Sequence, residues 1–592
     1  MKPPPSSHSK LLPSGQRPGL AVLVQTIALM LVLCWWVARG IPVSLVPLSP
    51  VNSDAAVPLA AQLLPCVSYS PFRHREGGSD VNPFNPNASV TAYDIEVDLR
   101  ILKTRTNCVR TYGLSQGLDA VPGVARKLGM RVKLGIWLAR DEAQNSLELA
   151  RGIALARQHL DVVDLLVVGN EVLLRRELSA EALGKILAFA RQNSPVQVTY
   201  ADVWEFWLRH AALASFVDVV TVHILPYWED DPVAVSDAVD HVFKIAAKVQ
   251  HQFAGKPVWV GETGWPAAGR QRAGAVPGKV EQTRFVRALQ ARAEVEGAEG
   301  VEEVAGVKSA GGKPTRQRLD FNVIEAFDQP WKRSFEGAMG GHWGLFDKFG
   351  NERVAPTGQA VVEDAWWWRG PLGALLGAAL AISICLLLRR RTRVPVLPVF
   401  PVTTAALVGA TLGALAPLQW LMMQQWDRSP REHALSVLLI LFGAIVSIVF
   451  ISPENPPELP RAKRVALLGL LFAASTAALV LLLDARYRPF TWWWFLAPTS
   501  ALLAWRIRTA GASFRVSNEQ KLLATVLAGC AVLIALTEGW RNHQALSYGG
   551  LLLALAVAGV WPSAGLSARP SAGPLTKTSN ASSAAGAQSS VL

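Results

Sequence analysis

The chain has 592 residues, of which 51% are apolar and only 17% charged, and its mean hydropathy is +0.25. A soluble globular chain carries about 25% charge, so an ordinary water-soluble enzyme is excluded. The formal net charge of +13 does not indicate nucleic acid either, because many basic residues stand in short segments between apolar runs: Arg389, Arg390, Arg391 and Arg393, then Arg461, Lys463 and Arg464, then Arg506, Arg508, Arg515 and Lys521.

A tail over 1–18 with Lys2, Lys10 and Arg17 precedes an apolar run over 19–38, long enough to cross a bilayer. The run is a signal anchor or a signal peptide; its length, Trp35 and Trp36 at its end and the lack of a small-residue cleavage site favour an uncleaved anchor. Residues 39–60 read as a linker and 61–364 as a mixed, water-soluble domain lying outside the cytoplasmic membrane. Within that domain short β-rich runs alternate with helical patterns: 66–70, 108–111, 132–136, 165–168, 196–200, 217–223, 258–261 and 321–324. Eight strands with intervening helices over about 300 residues predict a (β/α)8 barrel. A doubly wound sheet is the alternative, but Tyr69-Ser70-Pro71-Phe72 stands where its Gly-rich phosphate loop would be. The stretch 295–318, long and rich in Gly and charge, predicts a mobile flap or a disordered excursion.

After Trp366, Trp367 and Trp368, seven further apolar stretches (370–388, 402–422, 434–451, 465–483, 490–507, 522–538 and 544–561) predict an all-α polytopic membrane region over 365–561 and eight spans in all. With both termini inside, the inner segments hold 16 Lys and Arg against 5 in the small outer loops. Ser447, Ser475 and Thr476 are candidates for gluing helices together. The tail 562–592 reads as disordered and cytoplasmic.

No metal or other cofactor is expected. Cys34, Cys385 and Cys530 lie in apolar segments, and Cys66 and Cys108 lack metal-site spacing; a Cys66–Cys108 disulfide is the less favoured reading. Chemistry in such a barrel sits at the C-terminal strand ends. The fourth strand ends Gly169-Asn170-Glu171-Val172, the seventh Gly261-Glu262-Thr263-Gly264-Trp265-Pro266. Two carboxyls facing one another across the mouth suit glycoside hydrolysis, with a separation of about 5–5.5 Å for the retaining mechanism.

These two motifs resemble the acid/base and nucleophile motifs of glycoside hydrolase family 17, the β-1,3-glucanase and β-glucanosyltransferase family. The resemblance covers roughly 61–364, including Arg110-Thr111-Tyr112-Gly113, Glu325 to Lys332, and His342-Trp343-Gly344-Leu345-Phe346. It implies that Glu171 is the general acid/base, Glu262 the nucleophile, and Asn170 a donor to the hydroxyl beside the reacting carbon. Gln329 departs from the family, which often has an acid there. Tyr112, Tyr227, Trp228, Trp265 and Trp331 are candidates to stack on pyranose rings, with core packing the alternative. His223 could orient the nucleophile or bind a hydroxyl, Arg110 could hold a carboxylate or a sugar, and Tyr69, Asp202 and Trp204 could line the cleft. The layout resembles bacterial inner-membrane proteins that join a family 17 domain in the periplasm to a polytopic region and are implicated in β-1,3/β-1,6-glucan synthesis. That implies a β-glucan substrate, contact with the lipid bilayer, a possible membrane glucan synthase as partner, and no nucleic acid. The motifs leave transglycosylation and plain hydrolysis both open, and a non-catalytic glucan-binding or export role is the remaining alternative.

Overall fold

The computed structural model of the chain describes residues 17–45, 63–75, 80–85, 87–304, 319–354, 359–392, 399–452, 459–484, 486–509 and 516–561. The tail 1–16, most of the 39–60 linker and the tail 562–592 lie outside them. So does 305–318 of the expected flap, whereas 295–304 continue a helix.

Eight parallel strands close in sequence order into a barrel: β1 (Cys66–Ser68), β2 (Cys108–Arg110), β3 (Arg131–Ile136), β4 (Val163–Asn170), β5 (Gln197–Val203), β6 (Val219–His223), β7 (Val258–Thr263) and β8 (Asp320–Val323). All eight expected strands form, with ends shifted by up to three residues. β8 closes on β1 through Cys66↔Asn322 and Val67↔Val323. β4 is almost wholly apolar because a parallel strand is covered on both faces. Leu165, Val167, Ala201, Val219 and Trp259 form a small apolar cluster separate from the main core, the filling of the barrel. Side chains alternate along a strand, so Val219, Thr221 and His223 share one face, and His223 stands at the mouth.

Helices pack around this barrel: α2 (Ala92–Leu102), α3 (Val121–Leu128), α4 (Glu142–Gln158), α5 (Ala180–Asn193), α6 (Trp204–Arg209), α7 (Val235–Gln252) and α8 (Lys279–Val304), with a short α9 (Arg333–Glu336) after β8. Their starts are written in the sequence: Thr91 and Asp94 make a capping box for α2, and Asp141 and Ser179 cap α4 and α5. Cys66 and Cys108 form a disulfide, against the favoured sequence reading. They open adjacent strands whose next residues, Val67 and Val109, are register partners, so barrel closure itself brings the thiols together.

The helical region comprises α1 (Arg17–Gly40), α10 (Arg369–Thr392), α11 (Val399–Trp426), α12 (Pro430–Ile451), α13 (Leu459–Leu483), α14 (Trp492–Arg508), α15 (Asn518–Glu538) and α16 (His543–Val560). Seven of these are long and apolar enough to cross a bilayer. The eighth expected span, α14, has 17 residues and is mostly buried among its neighbours; at 1.5 Å per residue it is about 26 Å long, just short of a hydrocarbon core. α1 packs into this bundle, where the Trp36 indole donates to the Ala414 carbonyl at 3.0 Å. Gly373 and Gly377 on α10 meet Gly409 and Gly413 on α11 so closely that a Cβ at Gly377 would stand 2.1 Å from the Gly409 carbonyl oxygen. Of the expected polar contacts, Ser475 reaches the Leu523 carbonyl of α15 at 3.4 Å, Ser447 bonds only within its own helix, and Thr476 is exposed.

The mouth of the barrel faces the bundle. After β7, the Gln271 backbone N–H donates to Gln544 at 2.9 Å and its side chain to the Arg541 carbonyl at 2.8 Å, while Asn542 donates to the Gln271 carbonyl at 3.0 Å. Arg270 pairs with Glu538, and His342, after β8, meets the Gln425 carbonyl at 2.8 Å.

Candidate active site

β4 ends in a turn that only a special backbone can make. Gly169 has φ 87° and Glu171 φ 52°, both in the left-handed region, and the β4–β5 register shifts between Val167 and Asn170. For a glutamate this conformation costs on the order of 1–3 kcal/mol and marks a residue whose direction matters. The turn aims Glu171 at the mouth. Across from it Glu262 pairs in register with His223, and Gly261 beneath permits the close approach: a Cβ there would lie 2.4 Å from Thr221 Cγ2.

His223 bridges the two carboxyls. Its Nδ1 stands 2.8 Å from Glu171 Oε1 and 3.7 Å from Glu262 Oε2, and oxygens of the two glutamates approach within 4.8 Å. Arg110, fully buried, donates from Nη1 to Glu262 Oε1 at 2.5 Å and from Nη2 to Asn170 Oδ1 at 2.6 Å. That fixes the Asn170 amide with its Nδ2 as the donor left over. The Tyr112 hydroxyl donates to the same Glu262 oxygen at 2.8 Å. Burial alone would raise the Glu262 carboxyl, but His223, Arg110, Lys332 and the Tyr112 hydrogen bond outweigh it and hold the group below the usual carboxylate range. The same interplay raises His223: burial opposes the imidazolium, and Glu262 and Glu171 together prevail. The two carboxyls are therefore unlike: Glu262 is almost sealed, with 5% side-chain exposure, whereas Glu171 is 22% exposed. Glu171, His223 and Glu262 each offer one atom in a spacing a cation could use, but the guanidinium on Glu262 already neutralises that carboxylate.

The pair opens into a cavity of about 1150 Å³. Asn170, Tyr112, His223, Trp228 and Trp331 line it with the two glutamates. Other expected residues stand elsewhere. Tyr69 is fully buried and donates to Asp98 at 2.9 Å; Tyr227 is buried and donates to the Arg270 carbonyl; Trp265 is buried, stacks on Phe285 and donates to the Val276 carbonyl. These three are core residues: Tyr69 turns toward α2 and Trp265 toward α8, while Tyr227 sits among Trp228, Trp265 and Trp343. Asp202 lies behind the site, accepting from Tyr200 and the Leu173 backbone; burial first, with Glu171 adding, raises its carboxyl to about 6. Trp204 is half-buried, its indole donating to Glu229 at 3.2 Å. Gln329 donates to the Ser70 and Phe327 carbonyls and accepts from Trp331 and Ser70, a set no carboxylate could satisfy.

Sequence reasoning missed several wall residues. Trp137 directly follows β3, 41% exposed with Arg175 4.1 Å from its ring, and the strand-end rule pointed to it. Phe84 and Phe335 gather with Trp331 into an aromatic rim, at 5.6 Å from Phe84 to Trp331 and 4.9 Å from Phe84 to Phe335. Lys332 pairs with Glu325 at 2.8 Å, and burial still raises Glu325 to about 7. Glu336 also lines the cavity; burial raises it to about 7, Lys332 opposing and the two central glutamates adding.

Residues 66–344 match the family described as "BtgE/BtgC glycoside hydrolase domain". The barrel is therefore similar to a glycoside hydrolase domain over nearly its whole length. It is similar to "Probable beta-glucosidase btgE" of Aspergillus clavatus, 26% identical over 290 residues that make up 48% of this chain and 45% of the relative. It is also similar to "Glucan 1,3-beta-glucosidase" of Candida albicans, 26% identical over 274 residues, 42% of this chain and 82% of the relative. Among solved structures, the glycoside hydrolase family 17 β-1,3-glucanosyltransferase from Rhizomucor miehei aligns with a TM-score of 0.40 and 22% identity, covering 51% of this chain and 99% of that one. The chain spans about half the length of the btgE relatives it matches. In this barrel the two motif glutamates stand across one cavity, which the sequence pattern alone could not show.

Proposed function

We propose that the protein is a membrane-anchored, retaining β-1,3-glucan-active enzyme that remodels glucan by transglycosylation. The observation that carries the reading is the approach of the Glu171 and Glu262 carboxyls to within 4.8 Å, close to the separation of about 5–5.5 Å that suits a covalent glycosyl-enzyme and too narrow for an intervening water. Glu171 gives its proton to the glycosidic oxygen while a Glu262 oxygen attacks the anomeric carbon, so the glycosidic bond breaks and a glycosyl ester forms. Glu171, now a carboxylate, takes the proton of an acceptor hydroxyl, whose oxygen attacks the same carbon and releases Glu262. Arg110 and Tyr112 keep Glu262 anionic and aimed, and Asn170 Nδ2 faces the neighbouring sugar hydroxyl. The aromatic rim supports an acceptor site, since apolar ring faces match the C–H face of β-linked glucose. With water as acceptor the same groups would hydrolyse.

The bundle supports the membrane reading. Its large apolar side chains point outward, Leu375 at 70% and Leu536 at 74% exposure, the reverse of a water-soluble surface. The distribution of Lys and Arg favours both termini in the cytoplasm and the barrel on the far side, beside a glucan source such as a membrane synthase. The test is to incubate the detergent-solubilised protein and its Glu262→Gln variant with end-labelled β-1,3-gluco-oligosaccharides. Products longer than the substrate, or carrying new linkages, and absent with the variant, are expected; only shorter products would make it a hydrolase, and no Glu262-dependent change would remove the enzyme reading.

A further inference from the structure

Two of the cavity's wall residues do not belong to the barrel. Arg486 and Tyr487 come from the short connection between α13 and α14, in the helical region, yet both line the cavity that holds the carboxyl pair. Arg486 is exposed; its Nη2 donates to the Trp228 carbonyl at 3.1 Å, its Nη1 stands 3.6 Å from Asp230, and its guanidinium carbon lies 5.2 Å from the centre of the Trp228 ring. The half-buried ring of Tyr487 meets Trp228 edge-on, 6.2 Å between centroids. Trp228 follows β6 in the barrel, so a strand-end aromatic and a bundle loop together make one stretch of wall.

The loop is fastened rather than draped. Asp484 accepts from Arg428 at 3.4 Å and from Arg488 at 3.1 Å, and Glu432 pairs with the same two arginines at 2.9 and 3.6 Å. Arg270 of the barrel donates to the Arg488 carbonyl at 3.2 Å. The Tyr487 backbone sits on Gly337 of the barrel, where a Cβ would come 2.5 Å from its carbonyl oxygen and where φ is 75°, so glycine answers both the contact and the conformation. A wall held this way needs no ordering when a ligand arrives.

We propose that Arg486 and Tyr487 form a sugar-binding subsite that the helical region lends to the barrel, so that the bundle helps set which glucan chain lengths the enzyme takes. This rests on the glucan-active reading above. A guanidinium is a fork of donors for sugar hydroxyls, and a phenol ring offers an apolar face with a polar tip: the pairing that a β-linked glucosyl unit at the rim would use. No barrel of this type without the bundle could supply it, and the catalytic pair alone does not require it.

The experiment uses the full chain in detergent. KM and kcat are measured for β-1,3-gluco-oligosaccharides of increasing length with the parent, Tyr487→Ala, Tyr487→Phe and Arg486→Gln, and binding of a long oligosaccharide is measured with each change placed on Glu262→Gln. Tyr487→Ala is expected to raise KM for long chains by about tenfold, with kcat lowered less than about threefold, and to weaken binding in the Glu262→Gln form by a similar factor. The penalty shrinks for the shortest donors, Tyr487→Phe restores most of it, and Arg486→Gln shows the same dependence on length. If Tyr487→Ala does not fold, the Arg486→Gln length dependence decides. An active, Glu262-dependent parent whose variants show the parent's KM at every chain length overturns the subsite alone; a parent inactive on all β-glucans overturns the glucan reading and the subsite with it.

Discussion

The barrel and the bundle solve opposite problems with the same kinds of residue. In the barrel the strand ladder satisfies the backbone, the apolar load is carried by a continuous core, and titratable and charged groups can gather at the mouth: Arg110 bonds Glu262 at 2.5 Å, and His223 stands 2.8 Å from Glu171 and 3.7 Å from Glu262. In the bundle large apolar side chains face outward, and α10 and α11 meet through bare glycine backbones. On the membrane reading proposed above, lipid offers no hydrophobic drive between helices, and close backbone packing substitutes for it. The difference teaches where chemistry can live: buried charge is affordable only where partners are built in at fixed distances.

Four changes would break or sharpen that contrast. Glu262→Gln removes the proposed nucleophile and should lower kcat by roughly 10⁴-fold or more, read by product formation from labelled oligosaccharides, with α1 and the other helices unaffected by circular dichroism. Replacing both Cys66 and Cys108, which close a 42-residue separation, should cost the barrel about 3–4 kcal/mol and lower its unfolding temperature by roughly 5–7 °C, while the bundle transition stays in place. Gly377→Leu should destabilise the α10–α11 contact by about 1–3 kcal/mol, measured by detergent-resistant unfolding, and leave the Glu262-dependent chemistry at parental rate per folded molecule. Tyr112→Phe should have the smallest effect, about tenfold in kcat/KM. Its sign with pH is set: the lost hydrogen bond favoured the carboxylate, so Glu262 titrates at higher pH and the acid limb of kcat/KM moves upward.

Much of the barrel was legible because its strands are short, mostly apolar runs separated by helical patterns, and the two glutamates were legible because Glu171 directly follows β4 and Glu262 is the penultimate residue of β7. The same rule misplaced Tyr69, Tyr227 and Trp265, since a residue just past a strand can turn into the core as readily as into the mouth. Trp137, which directly follows β3 and lines the cavity, was missed although the same rule applies to its position. The disulfide was legible only once register was known, because Cys66 and Cys108 are 42 positions apart but adjacent across β1 and β2. The Gly373/Gly377 and Gly409/Gly413 spacing, a small-residue pattern at i and i+4, was present in the sequence and marks the α10–α11 contact. Arg486 and Tyr487 carried no signal, because nothing local tells a connecting loop that a cavity of another domain lies beside it.

The central claim is that Glu262 becomes covalently attached to sugar. The direct measurement is to treat the full-length protein with a 2-deoxy-2-fluoro-β-glucosyl or laminaribiosyl donor bearing an activated leaving group, digest it, and locate the mass increment by tandem mass spectrometry. The account predicts one adduct, on the peptide containing Glu262, that disappears when a glucan acceptor is added. Glucan turnover with no adduct, or an adduct on Glu171, would contradict it.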